Sequence, residues 1–238
     1  MGYLRKSISE IHEALINGLV TPEELVREAL NKAHKDSNNA FEFICDEYAY
    51  SKLKELDSKD KNNMLWGIPF VIKDNFSTKD IPTCASSNIL EGYKPIFSAE
   101  VVNKLEAKGA ILIGKTTLDE FGMGGHGMSG HKGYVFNPWD PSHKREIGGS
   151  SSGSAAAVAS GIVPYSIGTD TGDSVRRPAA QACLVGFKPT WGRISRYGVF
   201  PFAESLDHVA FFTRNVKDSA IVLENIAGHD EKDATSTC

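Results

Sequence analysis

An α/β fold is the prediction from three features of the sequence: strand-length apolar runs that alternate with helical segments, a length suited to one large core, and no internal repeat. The 238 residues exceed a typical domain of ~100–200 residues but remain compatible with a single α/β unit. With 41% hydrophobic residues, 24% charged residues and a formal net charge of −4, the composition is that of an ordinary soluble protein. It lacks the basic excess that phosphate backbones attract, so direct nucleic-acid binding is not indicated.

The chain opens without a signal-peptide h-region, and no run approaches the ~20 apolar residues of a bilayer span, so a cytoplasmic location is expected. Ile8, Ile11, Leu15 and Leu19 recur at helical spacing and are expected to share one packed face. Thr21-Pro22-Glu23-Glu24 then reads as a capping box with proline at the first position of a second helix. Residues 41–45, 68–72 and 110–113 read as strands, with a helix over 99–108 ahead of the third. Residues 1–60 are expected to form a helical segment packed on a core made by residues 61–238.

Gly148-Gly149-Ser150-Ser151-Ser152-Gly153-Ser154 has the composition of a flexible linker. It runs directly into the small residues 155–160, however, which suit a helix slim enough for close packing and stopped by Gly161.

Three apparent motifs are false leads. Residues 109–116, Gly-Ala-Ile-Leu-Ile-Gly-Lys-Thr, satisfy the written P-loop pattern, but the four intervening residues are apolar and themselves make the strand, leaving no exposed loop to cradle phosphate. His126 and His131 lie five apart in a Gly/Ser/Met-rich loop, off the i, i+4 spacing of a helical metal pair, and read as solvated histidines. A Ser-His-Asp triad through His208 is disfavoured because Asp207 is its sequence neighbour and no serine sits in a Gly-x-Ser-x-Gly elbow. Cys45, Cys84, Cys183 and Cys238 are scattered without a CxxC pair, which suggests reduced thiols, no zinc site and no metal ligands.

A different constellation remains. Lys73 ends the apolar run Ile68-Pro69-Phe70-Val71-Ile72, whose neighbours would desolvate its ammonium and favour the neutral amine a base requires. The shift needed is large, from ~10.4 towards ~7 at about 1.4 kcal/mol per unit. By position alone an ordinary lysine at a strand end is the favoured reading, since Lys79, Lys94 and Lys115 look the same to composition. Ser150 follows two glycines, and Ser174 lies in Gly168-Thr169-Asp170-Thr171-Gly172-Asp173-Ser174-Val175-Arg176. A loop of that composition leaves backbone N–H groups unpaired and able to face a developing oxyanion. An Asx- or ST-turn is the favoured explanation of either serine when each is taken alone.

Residues 148–161 together with 168–178 resemble the Gly/Ser-rich signature of the amidase-signature family, GGSS(G/S)GSAAAVA followed by G(T/S)DTG-x-S-(I/V)-R. The resemblance implies a mixed β-sheet core flanked by α-helices, and a triad of lysine base, cis-peptide serine bridge and serine nucleophile at Lys73, Ser150 and Ser174. Amides around Thr171, Gly172 and Asp173 would form the oxyanion hole. Asp173 departs from the commonest pattern, which has glycine there; its carboxylate must point away from the developing charge.

Further blocks are similar to the branch of the family that provides the A subunits of glutamyl-tRNA(Gln)/aspartyl-tRNA(Asn) amidotransferases: Gly67-Ile-Pro-Phe-Val-Ile-Lys-Asp-Asn75, Thr83-Cys-Ala-Ser86, Gly114-Lys-Thr-Thr-Leu-Asp-Glu-Phe121, Asn137-Pro-Trp139, residues 185–198 and Ser205-Leu-Asp-His208. That resemblance implies hydrolysis of glutamine to ammonia, no cofactor in this chain, and a B subunit that uses ATP and Mg to amidate mischarged tRNA while a C subunit braces the complex. It also implies that the fold continues past residue 238, where the residues gripping the glutamine α-amino and α-carboxylate groups would lie. The competing expectations are hydrolysis of another carboxamide, or a non-catalytic scaffold role.

Overall fold

A computed structural model describes residues 2–237. Strands β1 (Phe41–Ile44), β2 (Pro69–Lys73), β3 (Ile111–Thr116), β4 (Ser166–Asp170), β5 (Val185–Phe187) and β6 (His208–Thr213) form one mixed sheet in the order β1-β3-β2-β4-β6-β5. The central trio β3, β2 and β4 is parallel, whereas β1, β6 and β5 join antiparallel. Every residue of β2, β3 and β4 is buried. That explains why Ile68-Pro69-Phe70-Val71-Ile72 reads as a continuous apolar run: a parallel strand covered on both faces has no solvent side to make polar.

Helices α1 (Ile8–Ile16), α2 (Pro22–His34), α3 (Asp46–Leu53), α4 (Glu100–Ala107), α5 (Ser152–Ala159), α6 (Arg176–Gln181) and α7 (Val216–Ile226) flank this sheet. Thr21 and Glu24 make the anticipated reciprocal capping box, and Ser7 with Glu10 makes a second at α1 that the same S-x-x-E signal could have revealed. Ile8, Ile11 and Leu15 are buried, but Leu19 is 68% exposed. The helix stops at Ile16 and Gly18 turns the chain at φ +67, so Leu19 never reaches the α1 face. The N-terminal segment is tied to α7 by a 3.0 Å bond from the Ile8 amide to Asp218. Strand β1 lies within residues 1–60 yet joins β3, so the sheet takes residues from both sides of position 60.

All eight residues of α5 are buried, and the helix packs across β2, β3, β4 and β6. A Cβ at Gly153 would collide with the carbonyl oxygens of Ala40 and Thr117, so only a glycine admits this close approach. The segment is a packed helix rather than a linker. The P-loop pattern is likewise absorbed: residues 111–116 are β3, laddered on both sides and fully buried. Cys45, Cys84 and Cys183 are free thiols, while Cys238 lies outside the described residues. Among the described residues no helix is long and apolar enough to cross a membrane.

Candidate active site

Strands β2 and β4 are parallel neighbours with Ile72 opposite Ile167, so their C-terminal ends, Lys73 and Thr169-Asp170, open on the same edge of the sheet. Open α/β sheets place their sites at that edge. The segment leading into α5 crosses there, with a cis peptide bond between Gly149 and Ser150. A Cβ on Gly149 would run into the Asp119 carboxylate.

Lys73 has no solvent exposure, and its Nζ donates to Ser150 Oγ and to Thr169 Oγ1, both at 2.7 Å. Both acceptors are neutral. Burial therefore dominates and pushes the Lys73 pKa from 10.5 down to about 7, against the opposing negative charges of Asp119, Asp170 and Asp207. Near neutral pH much of this lysine is the free amine, the only form with a lone pair able to accept a proton.

Ser174 is 6% exposed, and its carbonyl accepts the Ser151 amide at 3.1 Å, which fastens the Ser150 segment to the Ser174 turn. Among the described residues the Ser150 and Ser174 hydroxyls make no direct hydrogen bond to each other. Nor do the amides of Thr171, Gly172, Asp173 and Ser174 donate to any acceptor there, which leaves four consecutive N–H groups for a ligand. The turn is held from beneath by Asp170. Its Oδ2 takes the amides of Val175 at 3.0 Å and Arg176 at 3.1 Å, and Arg176 pairs with Oδ1 at 2.9 Å. Burial raises the Asp170 pKa, but these donors outweigh it and the net direction is down. Asp173 stands exposed, and its charge helps raise the Arg176 pKa after the larger contribution of the Asp170 hydrogen bond.

Lys73 and Ser150 thus meet directly, Ser174 is joined to them through the backbone, and residues 171–173 border it with unpaired amides. Four further residues escaped the sequence reading. Thr169 is the second acceptor of Lys73 and also receives Asn75 Nδ2 at 3.1 Å. Asp119 donates its amide to the Ser150 carbonyl and gathers the amides of Gly127, Met128 and Ser129. Asp207 accepts Thr171 Oγ1 at 2.6 Å and the Phe202 and Ala203 amides, so it sets the first residue of the turn. The signal for the two aspartates was an acidic residue inside Leu-Asp-Glu-Phe and Ser-Leu-Asp-His, yet nothing in one sequence says what such a carboxylate grips.

The false leads lie elsewhere. His208 sits against the Leu206 carbonyl and Lys188, and makes no bond to a serine. His126 pairs with Glu146 beside Arg177. His131 corrects the reading of a solvated loop histidine: the residue as a whole is exposed, yet its side chain is only 16% exposed and packs between Glu42 and Asn88. A cleft of about 280 Å³, lined by Arg196, Tyr197, Glu204, Asp207 and His208 among others, touches the Lys73 site only through Asp207.

The amidase family profile matches residues 24–238. The chain belongs to the amidase family. It is 46% identical over 240 residues to the A subunit of the glutamyl-tRNA(Gln) amidotransferase of Streptococcus thermophilus, covering 99% of this chain and 49% of that protein. The corresponding A subunit of Oenococcus oeni is 44% identical over 238 residues, covering 98% of this chain and 48% of that one. Among solved structures, the A subunit of the Thermotoga maritima glutamyl-tRNA(Gln) amidotransferase superposes with a TM-score of 0.83 at 38% identity, covering 98% of this chain and 49% of that one. An amidase family protein of Bacillus anthracis gives 0.90 at 34% identity, covering 97% and 48%. The chain therefore spans about half the length of the curated relatives it matches.

Proposed function

We propose that this chain carries the nucleophilic centre of a glutamine amidohydrolase that supplies ammonia for transamidation of Glu-tRNA(Gln), and by the same chemistry Asp-tRNA(Asn). The observation that supports the reading most is the buried Lys73 amine, lowered to about 7 and 2.7 Å from Ser150 Oγ, beside a serine turn with four unpaired amides.

In this reading the Ser174 hydroxyl attacks the carboxamide carbon, and its proton passes through Ser150 to the neutral amine of Lys73. A C–O bond forms, and the former carbonyl oxygen becomes an oxyanion stabilised by the amides of Thr171, Gly172 and Asp173 together with that of Ser174, each worth ~3–4 kcal/mol of barrier. Collapse breaks the C–N bond, and Lys73 returns the proton through Ser150 to the departing ammonia. Water then repeats the cycle on the acyl-Ser174 ester and releases glutamate. The missing Ser174–Ser150 bond is consistent with a relay that tightens only when substrate is bound. Ammonia would pass to a B subunit that uses ATP and Mg, with a C subunit bracing the assembly.

The identity to A-subunit proteins favours glutamine. The high TM-score of 0.89 to a 6-aminohexanoate cyclic dimer hydrolase, at 27% identity, supports hydrolysis of another amide as the second reading. Ammonia release and acyl-enzyme trapping with glutamine and with acetamide, in the complete protein and its Ser174→Ala variant, test both. Glutamine-dependent release lost in Ser174→Ala is expected. Faster acetamide turnover would favour the second reading, and release that survives Ser174→Ala would sink the mechanism.

A further inference from the structure

Three metal-binding side chains of different chemistry converge away from Lys73, from segments far apart in the chain. Glu42 comes from β1, Cys84 from the loop after β2, and His131 from the loop between β3 and α5. Glu42 Oε2 lies 2.9 Å from His131 Nε2, and Cys84 Sγ lies 3.9 Å from each of them. The point equidistant from the corners of that triangle is about 2.1 Å from each atom, within about 0.2 Å of zinc bonds of about 2.3 Å to sulfur and about 2.0–2.2 Å to nitrogen and oxygen.

We propose that Glu42, Cys84 and His131 bind a divalent transition-metal ion of the zinc type, with a fourth position for water. The surroundings orient the ligands for this. His131 Nδ1 lies 2.7 Å from Asn88 Oδ1, an oxygen that only accepts, so a neutral ring with its proton on Nδ1 turns the Nε2 lone pair towards Glu42 and Cys84. A carboxylate oxygen 2.9 Å from that nitrogen needs a cation between them, either a proton or a metal ion. Ser86 Oγ donates to Glu42 Oε1 at 2.6 Å, leaving Oε2 for the ion. The Lys132 ammonium, 3.2 Å from that oxygen on a side chain 41% exposed, has solvent to swing into.

Charge balances as well. One carboxylate and one thiolate neutralise a divalent ion around a neutral imidazole. Burial, reinforced by Asp74 and Glu42, pushes the Cys84 thiol up to about 12, so binding breaks its S–H bond, forms the S–metal bond and releases one proton to solvent. The ion would brace β1 against two loops that reach the Lys73 site. The Cys84 amide is anchored on Asp74, the residue after Lys73, and the His131 loop also contributes Asp119 and Gly122. The sequence reading expected no metal ligands; Cys84 lies 42 positions from Glu42 and 47 from His131, and the three meet only in the fold.

The test is spectroscopic titration of the complete, chelator-stripped protein with Co²⁺, followed by displacement with Zn²⁺. One Co²⁺ per chain with a thiolate-to-cobalt charge-transfer band is expected, with the band absent in Cys84→Ser. Asn88→Ala keeps all three ligands and is expected to weaken Zn²⁺ binding about 10–100-fold through loss of the ring's orientation. No saturable binding, as an imidazolium–carboxylate pair would give, overturns the proposal. So does a cobalt band that survives Cys84→Ser, or an unchanged Zn²⁺ affinity in Asn88→Ala. None of these readouts needs amide hydrolysis, so the site stands or falls apart from the Ser174 reading.

Discussion

Lys73 and Lys115 sit on adjacent parallel strands one register step apart, Ile72 facing Lys115 and Lys73 facing Thr116, and neither side chain has any solvent exposure. Their surroundings differ in one respect. Lys115 Nζ lies 3.0 Å from Asp74 Oδ1 and donates to the Phe76 carbonyl and to Thr83 Oγ1, both at 2.8 Å. Asp74 Oδ1 is too far off line to count as hydrogen-bonded, so its contribution is charge. Lys73 has two hydroxyls and no carboxylate within ion-pair distance among the described residues. Burial alone therefore does not make a base. A buried ammonium beside a carboxylate is a structural ion pair, whereas the same group among neutral acceptors is driven towards the amine.

The sharpest break of this comparison is to remove each lysine. Lys73→Met is expected to lower amide hydrolysis by about 10²–10⁴-fold, the usual value of a general base, while the urea midpoint holds or rises because an uncompensated buried amine is gone. Lys115→Met should do the opposite to stability, costing about 3–5 kcal/mol in denaturant titration by stranding the buried Asp74 carboxylate. Asp74→Asn in the same chain should recover part of that loss. If both variants unfold alike, the two lysines are equivalent and the distinction fails.

A subtler effect is pH dependence. Lys73 is held at about 7 in the folded chain against 10.5 unfolded, so between those values the unfolded state binds more protons and this residue makes stability rise with pH. The penalty is fully present below pH 7 and gone above 10.5. Cys45, raised to about 12 by burial, works against it above its ordinary 9.0, so the slope is read as the difference between wild type and Lys73→Met, which should lack this rise. The acidic limb of hydrolysis should fall near pH 7 for the same reason. The smallest change is Thr169→Val, which removes one acceptor of Lys73 and should slow hydrolysis about five-fold, the equivalent of ~1 kcal/mol for a lost hydrogen bond.

Much of the frame was legible without coordinates. The capping box at Thr21, the strands near 41–45, 68–72 and 110–113, and the helix of small residues after Ser151 follow from local periodicity and composition, which bind residues close in sequence. Leu19 shows where that reasoning stops, because a turn at Gly18 ends a pattern that spacing alone continues. The motif residues Lys73, Ser150 and Ser174 could be named from their signature, but not their surroundings. Ser150 and Thr169 reach Lys73 across 77 and 96 positions, and Asp207 reaches Thr171 across 36.

Periodicity and motif were enough for the α/β class, the start of α2 and the family, because those are properties of neighbouring residues. Only the packed chain set the surroundings of Lys73 apart from those of Lys115, left the 171–174 amides without acceptors, and brought Glu42, Cys84 and His131 together. Desolvation and Coulomb interaction depend on distances through space, and those exist only once remote segments have closed around each charge.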